Sequence, residues 1–149
     1  MNIKGLGRSR NDGYREQMTS DRLFVYGTLM RGFDHPMARL LSSNADFLGS
    51  ATCCGRLYFV KHYPGLVQSD APSDIVHGEL FRLRAADELL GEFDMYEACG
   101  EGYPEPTEYL RRLIEVRLAD GTTEQAWTYV YNWPVTGLPR IDSGRFLEH

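Results

Sequence analysis

Cysteine is scarce. Only Cys53, Cys54 and Cys99 occur among 149 residues, with no metal-site spacing and an odd number that cannot all pair within one chain, so reduced thiols are expected. No apolar run approaches the ~20 residues that a membrane-spanning helix needs, and Met1 to Thr19 lacks the apolar centre of a signal peptide. Positive charge is in deficit, with 16 Lys and Arg against 21 Asp and Glu and a net charge of −5. A nucleic-acid binder needs the opposite balance, because it must neutralise phosphates. No glycine-rich phosphate loop, internal repeat or low-complexity segment is present. The four histidines, His35, His62, His77 and His149, are too scattered to form a metal site. These absences leave a cytoplasmic protein with neither nucleic acid nor membrane as partner, and they say nothing about its oligomeric state.

What is present is a chain with 42% apolar residues, enough for one sizeable core. Its charge is uneven. Residues 1–22 hold five basic and three acidic residues, a net of +2, which leaves −7 for the remainder. This polar, Gly- and Arg-containing stretch reads as a flexible N-terminal arm, and residues 23–149 as a single domain. Arg31 to Leu41, with Pro36 near its start, suggests a short helix. Phe47 to Thr52 and Arg56 to Lys61 read as two strands joined in a hairpin at Gly55, and Ile75 to Leu83 as another strand. Ala85 to Cys99 has helical periodicity. Tyr109 to Leu118 and Thr122 to Tyr131 are joined through Asp120-Gly121, a strong hairpin turn. Strands mostly in hairpins, with one substantial helix between them, indicate an α+β fold rather than a βαβ sheet.

Two features carry chemistry. Leu23 to Tyr26 reads as a short strand, and Gly27 immediately after it lets the chain turn tightly or approach a ligand closely. A turn over Tyr26, Gly27, Thr28 and Leu29 presents backbone N–H groups that bind a carboxylate or stabilise an oxyanion without a charged side chain. The second feature is Glu97. At ~100° per residue it falls in the sector of Ala86, Leu89, Leu90 and Phe93, while Asp87, Glu88 and Glu92 point elsewhere. A carboxylate among apolar side chains is raised in pKa toward neutrality, as a general base requires. The alternative is a glutamate at a frayed helix end before Gly100, facing water or paired with an arginine.

In order along the chain stand Phe24-Val25-Tyr26-Gly27-Thr28-Leu29, Tyr63-Pro64-Gly65-Leu66, Val76-His77-Gly78-Glu79-Leu80-Phe81, Phe93-Asp94-Met95-Tyr96-Glu97, Tyr109 with Arg111, Ile114 and Val116, and Ala126-Trp127-Thr128-Tyr129-Val130-Tyr131. Each piece is weak alone. In this order, over Leu23 to Phe146, they resemble the γ-glutamylcyclotransferase-like family, near its γ-glutamylamine cyclotransferase and AIG2-like branches. The resemblance implies a small mixed β-barrel with flanking helices. It also implies that the tyrosine-glycine loop, Tyr26 to Leu29, binds substrate and that Glu97 is the acid/base. Some relatives lack the glutamate, so its presence favours an enzyme. Tyr109, Arg111 and Tyr131 join the loop as substrate-binding candidates. Strict alternation would instead put Arg112 on the face of Leu110, Ile114 and Val116, unless a bulge intervenes.

The reaction so implied is cyclisation of the γ-glutamyl group of a small amine or amino acid to 5-oxoproline, with release of the free amine and no cofactor. Residues 100–106 and the segment after Tyr131 are candidates to contact the leaving amine. Two other classes stay open: a binding module of the same fold, and a cysteine enzyme that uses Cys99 with one of the histidines as base.

Overall fold

The Leu23-Phe24-Val25 run is buried completely, at no more than 4% exposure, because it is the central short strand of a closed sheet. In the computed structural model, which describes residues 20–148, the strands are β1 (Arg22–Val25), β2 (Ala45–Phe59), β3 (Pro64–Gln68), β4 (Ile75–Leu83), β5 (Tyr109–Leu118) and β6 (Thr123–Tyr131). Helix α1 (Pro36–Asn44) precedes β2, and α2 (Ala86–Tyr96) follows β4. The strand order is β3-β2-β4-β1-β6-β5. β5 also pairs with β2 through Ala51↔Leu118 and Thr52↔Arg117, which closes five strands into a mixed barrel, with β3 attached to β2. Closure removes the free edges of the five barrel strands, edges that invite aggregation, and leaves one on β3.

One pairing is parallel, β1 with β6 at Leu23↔Trp127, and it gathers the site. Parallel strands finish at the same end, so the loop after β1 and the last residues of β6 lie together. β5 is antiparallel to β6 with Tyr109↔Tyr131, and so begins at that end. Thr128, fully buried, donates from Oγ1 to Phe24 O at 2.9 Å and ties β6 to β1. Leu23, Val76, Leu80, Phe81, Phe93 and Val116 are each at most 1% exposed, and each contributes roughly 1.5–3 kcal/mol by leaving water.

The hairpin expected at Gly55 does not form. β2 runs unbroken for 15 residues, pairing with β4 as far as Cys54↔Ile75 and with β3 from Gly55↔Gln68 onward. Gly55 marks this change of partner rather than a turn. A Cβ there would stand 2.9 Å from Val67 O, so the glycine permits close approach inside a strand. The turn at Asp120-Gly121 does form, with Gly121 at φ +91°. β5 and β6 keep one register from Tyr109↔Tyr131 to Arg117↔Thr123, so no bulge decides between Arg111 and Arg112.

Helix α1 begins where Pro36 tolerates the first helical position, and His35 caps it by accepting from Met37 N–H through Nδ1 at 3.1 Å. That bond puts the His35 ring proton on Nε2. Helix α2 carries Asp87 and Glu88 in its first turn, where they complement the helix dipole, and buries Leu89, Leu90 and Phe93. It ends at Tyr96, three residues short of Cys99. Ala98 N–H donates to Met95 O at 3.1 Å and Cys99 N–H to Asp94 O at 3.0 Å. With Ala98 at φ +54°, this is a Schellman termination whose left-handed position is occupied by alanine.

Ser20 and Asp21 are joined to the barrel. Ser20 Oγ donates to Gln125 O and Trp127 Nε1 to Ser20 O, each at 3.0 Å, and Leu83 N–H donates to Asp21 O at 2.7 Å. The rest of the expected arm, residues 1–19, lies outside the described residues.

Candidate active site

The strand ends and the C-terminus of α2 surround a cavity of about 270 Å³. Its wall includes Tyr26, Gly27, Thr28 and Leu29 from the loop after β1, His62 to Pro64 before and at the start of β3, Tyr96 to Ala98 at the end of α2, Glu108 and Tyr109 at the start of β5, and Thr128 and Tyr129 from β6.

The loop is held by its own tyrosine. Tyr26, 6% exposed, donates from its hydroxyl to Tyr129 O at 2.6 Å and accepts from Leu66 N–H at 3.2 Å, so its ring joins β1, β6 and β3. Gly27 is there for space. A Cβ on it would stand 2.7 and 2.9 Å from Cγ and Cδ of Pro64. Pro64 is itself fixed, because Tyr109 donates to its carbonyl at 2.6 Å. Met30 N–H donates to Gly27 O at 3.0 Å and closes a turn, while the N–H groups of Gly27, Thr28 and Leu29 meet no acceptor among the described residues. Free donors at a cavity wall are suited to an anion.

Glu97 is the C-cap of α2, with its N–H donating to Phe93 O at 2.9 Å. It is partly buried, and no arginine or hydrogen-bond donor meets its carboxyl among the described residues. Desolvation first, then the charges of Glu108 and Asp94, raise its pKa from 4.5 to about 7. Near neutral pH it can both take and return a proton.

Asp94, one turn earlier, is the anchor. Arg111 donates from Nε to Oδ1 at 2.8 Å and from Nη2 to Oδ2 at 3.1 Å, and the Tyr129 hydroxyl donates to Oδ1 at 2.6 Å. The guanidinium also lies over the Trp127 ring at 4.4 Å. Arg112 is exposed and donates to Arg111 O at 3.3 Å.

Of the residues singled out from the sequence, Tyr26, Gly27, Thr28, Leu29, Glu97 and Tyr109 come together at the cavity. Arg111 and Tyr131 do not line it. Arg111 holds the helix behind Glu97, and Tyr131 packs its ring edge against Tyr109, 5.4 Å between centroids. Residues 100–106 and the segment after Tyr131 are also absent from the lining. Cys99 is buried outside it, and desolvation, then Asp94 and Glu97, push its thiol up to about 11.

Sequence reasoning missed Glu108 and Tyr96, which both line the cavity. Tyr63 donates to Glu108 Oε2 at 2.7 Å. Burial, then that bond, raises the Tyr63 pKa and keeps its hydroxyl a donor. Tyr96 receives the His35 Nε2 proton at 3.0 Å, which leaves its own hydroxyl proton to be donated elsewhere. Glu108 stands in a loop, where no periodicity could mark it; the one available signal was its position directly before Tyr109.

Similarity to known proteins agrees with this fold. The family model described as "Gamma-glutamyl cyclotransferase, AIG2-like" matches residues 23–148. The chain is 37% identical over 130 residues to the "Gamma-glutamylcyclotransferase family protein YtfP" of Escherichia coli strain K12, covering 85% of this chain and 96% of the relative. The solution structure of ytfP from Escherichia coli superposes with a TM-score of 0.56 over the same shares of the two chains. An AIG2-like protein from Mus musculus, 25% identical, superposes with a TM-score of 0.65 over 82% of this chain and 86% of its own. A matching family model over most of the chain, a relative of nearly equal length and two structures of the same mixed barrel agree: the chain belongs to the AIG2-like γ-glutamyl cyclotransferase family.

Proposed function

We propose that the protein cyclises the γ-glutamyl group of a small γ-glutamyl amine or amino acid to 5-oxoproline and releases the amine, with Glu97 as acid/base, in the cytoplasm. The observation that carries this reading is the Glu97 carboxyl: at the cavity wall, without a partner among the described residues, and with a proton affinity near neutrality. The loop N–H groups of Gly27, Thr28 and Leu29 would hold the α-carboxylate or the developing oxyanion, folding the glutamyl chain so that amine and carbonyl meet. Tyr26 and Tyr109 would shape the wall. Arg111 would act through Asp94, and Tyr131 through Tyr109.

Glu97 takes a proton from the substrate's α-ammonium, and the freed amine attacks the γ-carbonyl carbon. The new C–N bond closes a five-membered ring. As the tetrahedral intermediate collapses, the old C–N bond breaks and Glu97 delivers a proton to the departing nitrogen. Over the whole reaction the attacking nitrogen sheds two protons and the departing nitrogen gains two, so it leaves as an ammonium ion. Against Cys99 as nucleophile stand a thiol raised to about 11 and a position outside the cavity; thiolates, not thiols, are nucleophiles.

The test is 5-oxoproline release from a panel of γ-glutamyl amines and dipeptides, by wild type and Glu97→Gln. Turnover by the wild type and its loss in a folded variant is the expected result. Equal turnover by both removes Glu97 from the mechanism. Binding without turnover by the wild type makes the protein a ligand-binding relative.

A further inference from the structure

Three carboxylates bear on the cavity, and two have a use. Asp94 is neutralised by Arg111, and Glu97 handles protons in the proposed reaction. Glu108 has neither role. It lines the cavity, and among the described residues no lysine or arginine lines the cavity with it. One of its oxygens, Oε2, accepts from the Tyr63 hydroxyl at 2.7 Å, which leaves Oε1 and the negative charge for something else.

Glu108 is also held in place. Asn132 N–H donates to Glu108 O at 2.7 Å and Asn132 Nδ2 to Thr107 O at 2.9 Å, while Trp133 Nε1 donates to Pro106 O at 3.0 Å. The segment after β6 therefore does not touch the cavity but fixes the stretch that carries Glu108. A charge fixed at a wall discriminates between ligands, because it cannot swing away from a wrong one.

We propose that Glu108 selects the leaving group, and that the site takes γ-glutamyl amines whose departing part carries a second ammonium group, such as the γ-glutamyl derivatives of diamines. The inference rests on the cyclotransferase reading. The γ-glutamyl head brings one carboxylate and one ammonium. The loop N–H groups answer the first and Glu97 the second, so nothing in the head answers Glu108. A leaving part with its own carboxylate would meet Glu108 as a like charge in a partly desolvated cavity. A neutral alkyl part would leave the carboxylate unpaired when water is displaced, which is costly. A second ammonium would pair with it, and the rings of Tyr63 and Tyr109, on the same wall, suit an alkyl chain that ends in a cation.

Three substrates of matched length test this: the γ-glutamyl amides of 1,4-diaminobutane, butylamine and 4-aminobutanoate, cationic, neutral and anionic in the departing part. The kcat/KM for 5-oxoproline release is measured at one pH for wild type and for Glu108→Gln, with circular dichroism to verify folding. Ratios between substrates within one protein cancel any change that Glu108 exerts on Glu97. The wild type should prefer the cationic over the neutral substrate by about tenfold or more, as expected for one charge-assisted hydrogen bond, with the anionic one slowest. In Glu108→Gln that preference should fall to about twofold or less. The wild-type ranking stands without the variant: equal rates on cationic and neutral substrates overturn the inference. A ratio that Glu108→Gln leaves unchanged also overturns it. So does an equal loss on all three, which would put Glu108 on the glutamyl head. No 5-oxoproline from any of the three by folded wild type overturns the inference; the cyclotransferase reading falls with it only if the wider panel of γ-glutamyl amines and dipeptides also gives none.

Discussion

Asp94 and Arg111 form a two-point ion pair behind the cavity, Nε to Oδ1 at 2.8 Å and Nη2 to Oδ2 at 3.1 Å, and it fixes the end of the helix that carries Glu97. Both side chains are about three-quarters buried, 24% and 26% exposed, so this pair is worth more than a surface salt bridge. Asp94→Asn should leave the guanidinium largely buried and without a counter-charge, at a cost of roughly 2–3 kcal/mol. If the pair positions Glu97, kcat should also fall, by about tenfold or more, with KM changed less. Arg111→Lys should give an intermediate loss, since an ammonium cannot make both bonds in that plane. Thermal unfolding and steady-state kinetics check this, and an unchanged kcat in a destabilised Asp94→Asn protein would reduce the pair to a purely structural role.

Burial of Glu97 has a consequence for stability. Its pKa rises from 4.5 to about 7 on folding, so between those values the native state binds more protons than the unfolded state. Stability is therefore full below about 4.5 and declines as pH rises through about 7. Glu97→Gln removes the cost of the buried charge. After discounting for the partial exposure of the group, the variant should be more stable than wild type by about 2 kcal/mol at pH 8 and nearly equal at pH 5. Denaturant unfolding at the two pH values measures the difference. A variant less stable at pH 8 would mean that the glutamate has a favourable partner. The kcat/KM of the wild type should correspondingly rise with pH through about 7, as the base loses its proton.

Much of this was legible in the sequence, for identifiable reasons. β4, β5 and β6 follow their alternation and their turn at Asp120-Gly121, because half-buried antiparallel strands leave a period of two. Glu97 was visible because it continues the stripe of Leu89, Leu90 and Phe93. The hairpin at Gly55 was misread because a glycine that admits a neighbouring carbonyl looks, in sequence, like one that makes a turn. The helix was drawn too long for a related reason: Gly100 suggested the stop, whereas Ala98 takes the left-handed position. Glu108 carried no pattern. Its place at the cavity comes from the pairing of β6 with both β1 and β5, which brings the start of β5 beside the loop after β1.

Gly27 and Pro64 are in contact across the cavity wall, and a methyl group has no room between them. Its Cβ would lie 2.7 Å from Cγ of Pro64, and the ring is held through its own carbonyl by Tyr109. Gly27→Ala should therefore move the loop rather than the proline. The expected cost is about 1–3 kcal/mol in stability, and a fall in kcat/KM of about tenfold or more, because the loop N–H groups lose their aim. If thermal unfolding and turnover are both unchanged, the loop is soft and its N–H groups are not a preorganised site.

The alanine that ends α2 supplies a test in the opposite direction. Ala98 sits at φ +54°, where a Cβ costs roughly 1–2 kcal/mol, while glycine adopts the conformation freely. Ala98→Gly should recover part of that, about 0.5–1 kcal/mol after the greater freedom of glycine in the unfolded chain is counted. For a chain of this size that corresponds to a rise in Tm of about 1–4 °C. Ala98 lines the cavity next to Glu97, so the substitution also separates two uses of the strained residue. If its methyl group only fills space, kcat/KM stays within about twofold of wild type and Tm rises. If the methyl group holds the Glu97 backbone in place, Tm rises while kcat falls, the pattern of strain kept at a site for the sake of geometry.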